Sequence, residues 1–312
     1  MALDIEKQKE TRAKTLITDL DVKKPSLKIL YFSIYLFVFI VGFIQLVPLI
    51  WMVSGSLQSV TEIGKVPPTL IPKTLKWCNY TKILVDFNFF QFLINTIIFC
   101  VINIFLQLSV VPLAAYALSK LRPPFANTIL LIFLSTMMIP NELRMIPSYL
   151  IMKQFPFANI PFTNIQLPYL NFINTYWALI LPCASVYNLL LYKSFFDQLP
   201  EDLLNAARID GCSETRIFLT LVMPLSKPVL AVIGIFTFMG TWGSYLPALI
   251  YLESESKQPI ALAIANQVRN ISSLGWNELM ALSVLISIPM FIYFLFTQKY
   301  ILRGITFTGF KW

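Results

Sequence analysis

Few side chains in this sequence are suited to bond-breaking chemistry. His is absent, so the usual general base and the commonest metal ligand are missing. The four cysteines, Cys78, Cys100, Cys183 and Cys212, lie far apart and form no CxxC pair. They are the wrong pattern for a metal or disulfide framework. No GxxxxGK[ST] loop is present to cradle a phosphate, so any ATP used must be bound by another chain. The residues that remain are suited to recognition. One set is Glu201, Asp202, Asn205, Ala206, Ala207, Asp210 and Gly211, packed into eleven positions. A second is Asn141 and Glu142, inside Met138-Ile-Pro-Asn-Glu-Leu-Arg-Met-Ile-Pro147. A third is Thr241, Trp242, Ser244 and Tyr245, in a Gly-containing apolar run.

The elements that must position these groups follow from composition. Of 312 residues 57% are hydrophobic and only 13% charged, about half the charged share of a soluble protein. The mean hydropathy is +0.69. A soluble fold of this size cannot hide that much apolar surface, so the chain reads as an all-α, polytopic membrane protein. The formal charge of +8 would suit a nucleic-acid binder in a soluble protein. Here basic residues orient membrane spans, and no nucleic-acid partner is expected.

Six apolar segments reach roughly the 20 residues needed to cross the hydrocarbon layer. They are Leu30–Val53, Phe92–Leu118, Asn127–Met152 (interrupted at Pro140 and Pro147), Thr175–Phe195, Pro228–Leu252 and Glu278–Ile301. Residues 1–28 form a charged tail, and 29–312 form the transmembrane domain. With the N-terminus inside, 16 of the 24 Lys and Arg fall on inner segments against 8 outside. That bias places both termini in the cytoplasm. On this reading Lys120 and Arg122 serve as orientation charges.

The inner loop 196–227 holds the densest local signals. Pro200 suits the first position of a helix, and Glu201 and Asp202 suit its positive end. Gly211 suits the left-handed position just beyond. The pattern predicts a helix over 200–210. Ser213 is placed to cap a second helix carrying Ile217, Phe218 and Leu221, with Pro224 ending or bending it. Spacing alone allows two roles for the first helix. It can dock a partner through Ala206 and Ala207, or lie on the membrane with Leu203 and Leu204 in lipid.

The run Leu199-Pro-Glu-Asp-Leu-Leu-Asn-Ala-Ala-Arg-Ile-Asp-Gly211, followed by Met223-Pro-Leu-Ser-Lys-Pro228, resembles the EAA loop of ABC importer permeases. Further matches include Ala114-Ala-Tyr-Ala-Leu118, Asn95-Thr96, Ile139-Pro140 and Leu246-Pro247. Over about residues 28–312 the chain is similar to the carbohydrate-uptake branch, like the second permease subunits of maltose-type and glycerol-phosphate-type importers. The resemblance implies a type I ABC importer permease fold in a bacterial cell membrane. It also implies a second homologous permease, two ATPase subunits that carry ATP and Mg, and an extracytoplasmic solute-binding protein. This chain would bind no cofactor and catalyse nothing. The loop helix would be the coupling helix. Asn205 stands where the family has Glu, with Glu201 or Asp202 nearly a turn away as substitutes. Gly243 and Ser244 stand where the family has Asn and an acidic residue.

Polar groups in a carrier are placed where they line a cavity. Asn141, Glu142 and Arg144 either face a solute path or sit at the outer interface. Thr241, Trp242, Ser244 and Tyr245 either meet a sugar or pack against the partner permease. Loop 253–277, with Gln267, Arg269 and Asn270, either contacts the binding protein or is simply solvated. Peptides or osmolytes are the alternative cargo. A membrane enzyme would need a reactive cluster, and an ion-driven carrier would need paired intramembrane charges. Neither is found.

Overall fold

The computed structural model describes residues 25–67, 69–155, 170–269 and 275–307. Most of the tail, the proline-bearing stretch 156–169 and Asn270 fall outside them. Every regular element among the described residues is helical, beside one isolated bridge between Phe155 and Leu170. Three long helices dominate: α1 (Pro25–Ser56), α4 (Phe89–Tyr116, extended by a π turn Ala117–Leu121) and α14 (Trp276–Phe307). Between α1 and α4 lie α2 (Val60–Ile63) and α3 (Cys78–Val85). No residue in the most apolar stretch of α1 is buried. A helix that is apolar all round yet uncovered by protein belongs in lipid.

The remaining segments are broken, each at an identifiable place. α5 (Ala126–Met137) and α6 (Asn141–Lys153) meet at 108°, because Pro140 disfavours helical geometry at the residue before it. The stretch Thr175–Phe195 is cut in two. α7 (Tyr176–Ile180) runs into a 3-10 turn containing Pro182, and α8 (Val186–Asp197) restarts on a Ser185 cap. The fifth segment, α11 (Lys227–Trp242), stops at Gly243, and α12 (Leu246–Tyr251) follows as a separate helix. By length and composition, three helices among the described residues can cross a bilayer, or up to five if each bent pair is one crossing. The third expected segment breaks at Pro140 as read, Pro147 lies inside α6 without interrupting it, and the breaks in the fourth and fifth segments go beyond that reading. Proline breaks inside apolar runs leave the hydropathy unchanged.

The two ends of α4 are held by different groups. At its start, Asn95 Nδ2 donates to the carbonyls of Ser256 and Gln258, and Thr96 Oγ1 accepts from Ile260 N–H. These bonds fix the loop before α13 (Ile260–Arg269). Nearby, Asn79 Nδ2 donates to the carbonyls of Ser56 and Gln58, Asn277 donates to Asn79, and Lys82 pairs with Glu278 at 2.8 Å. α1 meets α14 at buried Gly55, where an added Cβ would overlap the Met280 sulfur. Gly55→Val is therefore expected to pry α1 from α14, at about 1–3 kcal/mol for an overpacked site. A drop in the detergent-solubilised melting temperature, larger than that for Gly42→Val in the open part of α1, is the check.

Candidate functional site

Two regions gather the polar residues that hydropathy leaves unexplained. The first is the loop helix, α9 (Glu201–Ile209). Pro200 is its N-cap rather than its first residue, and Glu201 and Asp202 occupy the first turn. Gly211 ends it at φ +78°. Cys212 N–H donates to Ala207 C=O and Gly211 N–H to Arg208 C=O, both at 3.0 Å. This paired closure satisfies the last carbonyls and requires the left-handed residue. A Cβ at Gly211 would touch nothing, so replacing it costs conformational strain alone, about 1–2 kcal/mol.

α9 faces two ways. Leu204 is fully buried in a cluster with Tyr116, Tyr192, Phe196, Ile217, Phe218 and Val222. Ala207 is half-buried against the same cluster. Leu203 and Ile209 are exposed, Ile209 to 86%, along with Asp202, Asn205, Ala206 and Asp210. The leucine pair therefore does not dip into lipid together, since Leu204 points into the protein. Asn205 Oδ1 accepts from Arg208 at 2.8 Å. Glu201, one substitute for the missing family Glu, is already engaged by Lys120 at 3.1 Å.

The supporting helix is α10 (Glu214–Ile217), capped by Ser213, which accepts from Arg216 N–H. It continues through a π turn, Phe218–Val222, to Leu225. Pro224 does not end it. The bend, 76°, comes at Ser226 before α11. Glu214 accepts from Arg208 Nε and from Tyr116 Oη, both at 2.7 Å. These two hydrogen bonds hold its carboxyl below the ordinary carboxylate range. Asp197 is also lowered: desolvation acts upward, but hydrogen bonds from Lys193 and Ser119 outweigh it. Lys120 is no free orientation charge, since its side chain is 1% exposed.

The second region is a polar cleft between α4, α8 and α11. Asn103 Nδ2 donates to Thr241 Oγ1 at 2.7 Å, and Asn188 Nδ2 donates to Gln107 Oε1 at 3.0 Å. All four side chains are buried, as is Thr237. Buried amides and hydroxyls between apolar helices are expensive unless they pair or line a cavity. Here a cavity of about 320 Å³ runs past Asn103, Gln107, Asn188, Gly240, Thr241 and Ser244. A second, of about 450 Å³, is lined by Asn141, Glu142, Arg144 and Ser244. The two share Phe99 and Ser244.

The structure thus brings Asn141 and Glu142 near Ser244, and Ser244 near Thr241. Arg144 is exposed and bonded to Asn141 at the start of α6. Trp242 and Tyr245 turn elsewhere. Trp242 stacks on Phe238 beside Cys100, and Tyr245 packs against the cluster around Leu179 and Tyr251. Helix phase separates them: Thr241 and Trp242 are neighbours in sequence but 100° apart around α11. Asn103, Gln107 and Asn188 were missed by sequence reasoning. Their signal was present, as uncharged polar residues inside apolar segments, but single amides in such runs are common enough to pass unmarked.

A family model described as "Binding-protein-dependent transport system inner membrane component" matches residues 22–307. Protein LplC of Bacillus subtilis (strain 168) is 29% identical over 279 residues, covering 85% of this chain and 88% of that protein. The sn-glycerol-3-phosphate transport system permease protein UgpE of Yersinia enterocolitica is 34% identical over 265 residues, covering 81% and 87%. Among solved structures, a chain of a bacterial ABC transporter involved in the import of the acidic polysaccharide alginate superposes with TM-score 0.73. That match covers 89% of this chain and 98% of the other at 23% identity, and it shows a shared fold.

Proposed function

The chain belongs to the family of binding-protein-dependent transport system inner membrane components, and from that premise we propose that it is one half of a solute pathway driven by ATPase subunits docked on α9. It is a multi-pass membrane transport component and not an enzyme. In this reading a second homologous permease completes the pathway. Two ATPase subunits carrying ATP and Mg act from the cytoplasm, and an extracytoplasmic binding protein delivers the solute. The broken stretch Thr175–Phe195 serves as the remaining crossing, giving six with both termini in the cytoplasm.

The observation that carries the docking role is the outward face of α9. A short helix whose inner residue, Leu204, is fully enclosed still presents Ala206 and Ile209 to solvent. An exposed apolar set of this kind, completed by Leu203, at a capped, fixed helix suits a partner's cleft, with Asp202, Asn205, Asp210 and Gly211 around it. Ala206→Trp is expected to strip the ATPase from the complex while leaving the permease folded. Affinity purification of the tagged chain, with the ATPase quantified against the second permease, checks this. Retention of the ATPase at the wild-type ratio would remove α9 as the docking element.

The cargo we propose is a sugar, sugar oligomer or glycerol-phosphate compound. The relatives' names support this class, as do the amides and hydroxyls of the cleft, which suit a hydroxyl-rich solute. Asn141, Glu142, Thr241 and Ser244 face this path. Trp242 and Tyr245 act behind it, as packing. Mass spectrometry of what co-purifies from the native host tests the whole assignment. A P-loop ATPase, a second six-span permease and a binding protein are expected. Recovery of this chain alone as an active homo-oligomer would overturn it.

A further inference from the structure

α9 is gripped at both of its ends, and both grips come from the same helix. At the N-terminal end, Lys120 Nζ donates to Leu199 C=O at 2.8 Å and to Glu201 Oε1 at 3.1 Å. At the C-terminal end, Tyr116 Oη and Arg208 Nε converge on Glu214 at 2.7 Å each. Tyr116 and Lys120 are four residues apart at the close of α4, so they lie on one helix face. Between the two grips, Leu204 enters the cluster to which Tyr116 itself belongs. α9 is therefore fastened at three points, two of them direct bonds to α4 or to the residue α4 holds.

The backbone at this place departs from the α-helix. Residues Ala117–Leu121 form a π turn, with Arg122 N–H donating to Ala117 C=O at 2.9 Å. Within this turn Leu118, Ser119 and Lys120 are all buried. Ser119 uses its position to donate to Asp197 at 2.6 Å, which joins the end of α8 to the same knot. A buried ammonium left without its partners is costly, so Lys120 stays on Leu199 and Glu201.

The same helix reaches the polar cleft. Asn103 and Gln107 lie on α4, and Gln107 is nine residues before Tyr116. That is about 14 Å along a continuous helix at 1.5 Å per residue. We propose that the end of α4 is the lever by which displacement of α9 reaches the cleft, with Lys120 and Tyr116 as its positioning residues. This rests on the coupling reading above and deepens it. α9 moves with α4, and α4 carries Asn103 and Gln107 relative to Thr241 on α11.

The test uses the whole importer, with both permeases, the ATPases and the binding protein, reconstituted in liposomes. Solute flux and ATP hydrolysis are measured together for the wild type, Lys120→Met, Glu201→Gln and Tyr116→Phe. Lys120→Met is expected to lower solute moved per ATP about ten-fold while hydrolysis continues, since it removes a buried charge from its partners. Glu201→Gln and Tyr116→Phe each weaken one contact and should lower the ratio by about two- to five-fold. An unchanged ratio in assembled Lys120→Met complex would overturn the lever. If that variant fails to assemble, Glu201→Gln decides, because its half-exposed side chain can change without unfolding the knot. An unchanged ratio there also overturns the proposal. A wild-type complex that hydrolyses ATP without moving solute would instead sink the transport reading, and the lever with it.

Discussion

Leu204→Asp is expected to abolish solute uptake by detaching α9 from its socket. Leu204 is fully enclosed among Tyr116, Phe196, Ile217 and Phe218. Truncation to Ala already removes contacts worth about 2–5 kcal/mol at a buried leucine. A carboxylate in the same place adds the cost of an unpaired buried charge, so the socket opens rather than accepts it. The neighbouring Leu203 is 39% exposed and provides the control. Leu203→Asp should change stability by about 0.5 kcal/mol or less, as at an ordinary surface position. Uptake in cells lacking the native copy, with melting temperatures of the purified variants, makes the comparison. Equal melting temperatures for the two Asp variants would mean that Leu204 does not anchor α9. A bulky residue at position 207 would be a poorer probe of ATPase contact than one at 206, because Ala207 packs against this same cluster.

A comparably large effect is expected at Gly240, for a different reason. Gly240 lies on α11 in the wall of the 320 Å³ cavity, beside Thr241 and across from Asn103. A Cβ there meets nothing within 4 Å. Gly240 lies in the last turn of α11, so replacing it by Ala changes helix stability by less than the about 0.5–1 kcal/mol of a helix interior. Gly240→Ala should therefore leave transport near wild type. Gly240→Phe should close the passage with its ring and reduce uptake about ten-fold or more, on the scale of a lost 1.4 kcal/mol. Complex assembly should be unaffected in both. Loss of the second permease from the Phe variant, in place of loss of flux, would put Gly240 at a subunit contact and sink the prediction.

Together with the lever, these expectations divide the molecule by role. Ala206 and Ile209 face outward, where the proposal places the ATPase, Leu204 holds the helix to the body, and α4 links that body to the cleft. Polar residues at the far end of α4 perform another task. Asn95 and Thr96 secure the loop before α13, and Asn79 and Asn277 secure the region between α1 and α14. None of these needs charge inside the membrane-spanning stretches.

The sequence by itself determined the membrane class, the all-helical content and the place of the loop helix. Each depends on neighbours within about one turn: apolar run length, Pro200 and two acids at a helix start, Gly211 at its end, Ser213 as a cap. Tertiary structure alone decided the rest. Whether Leu203 or Leu204 turns inward depends on which face of α9 meets Tyr116 and Phe218, and both leucines satisfy the same hydropathy. Thr241 reaches the cleft while Trp242 and Tyr245 pack away, because the rotation of α11 against α4 selects one side. The partner of Glu201 is Lys120, 81 residues earlier. No local pattern encodes that distance. A buried ammonium finds its carboxylate only after α4, α8 and α9 have packed, and that packing turned an apparent orientation charge into the grip on the loop helix.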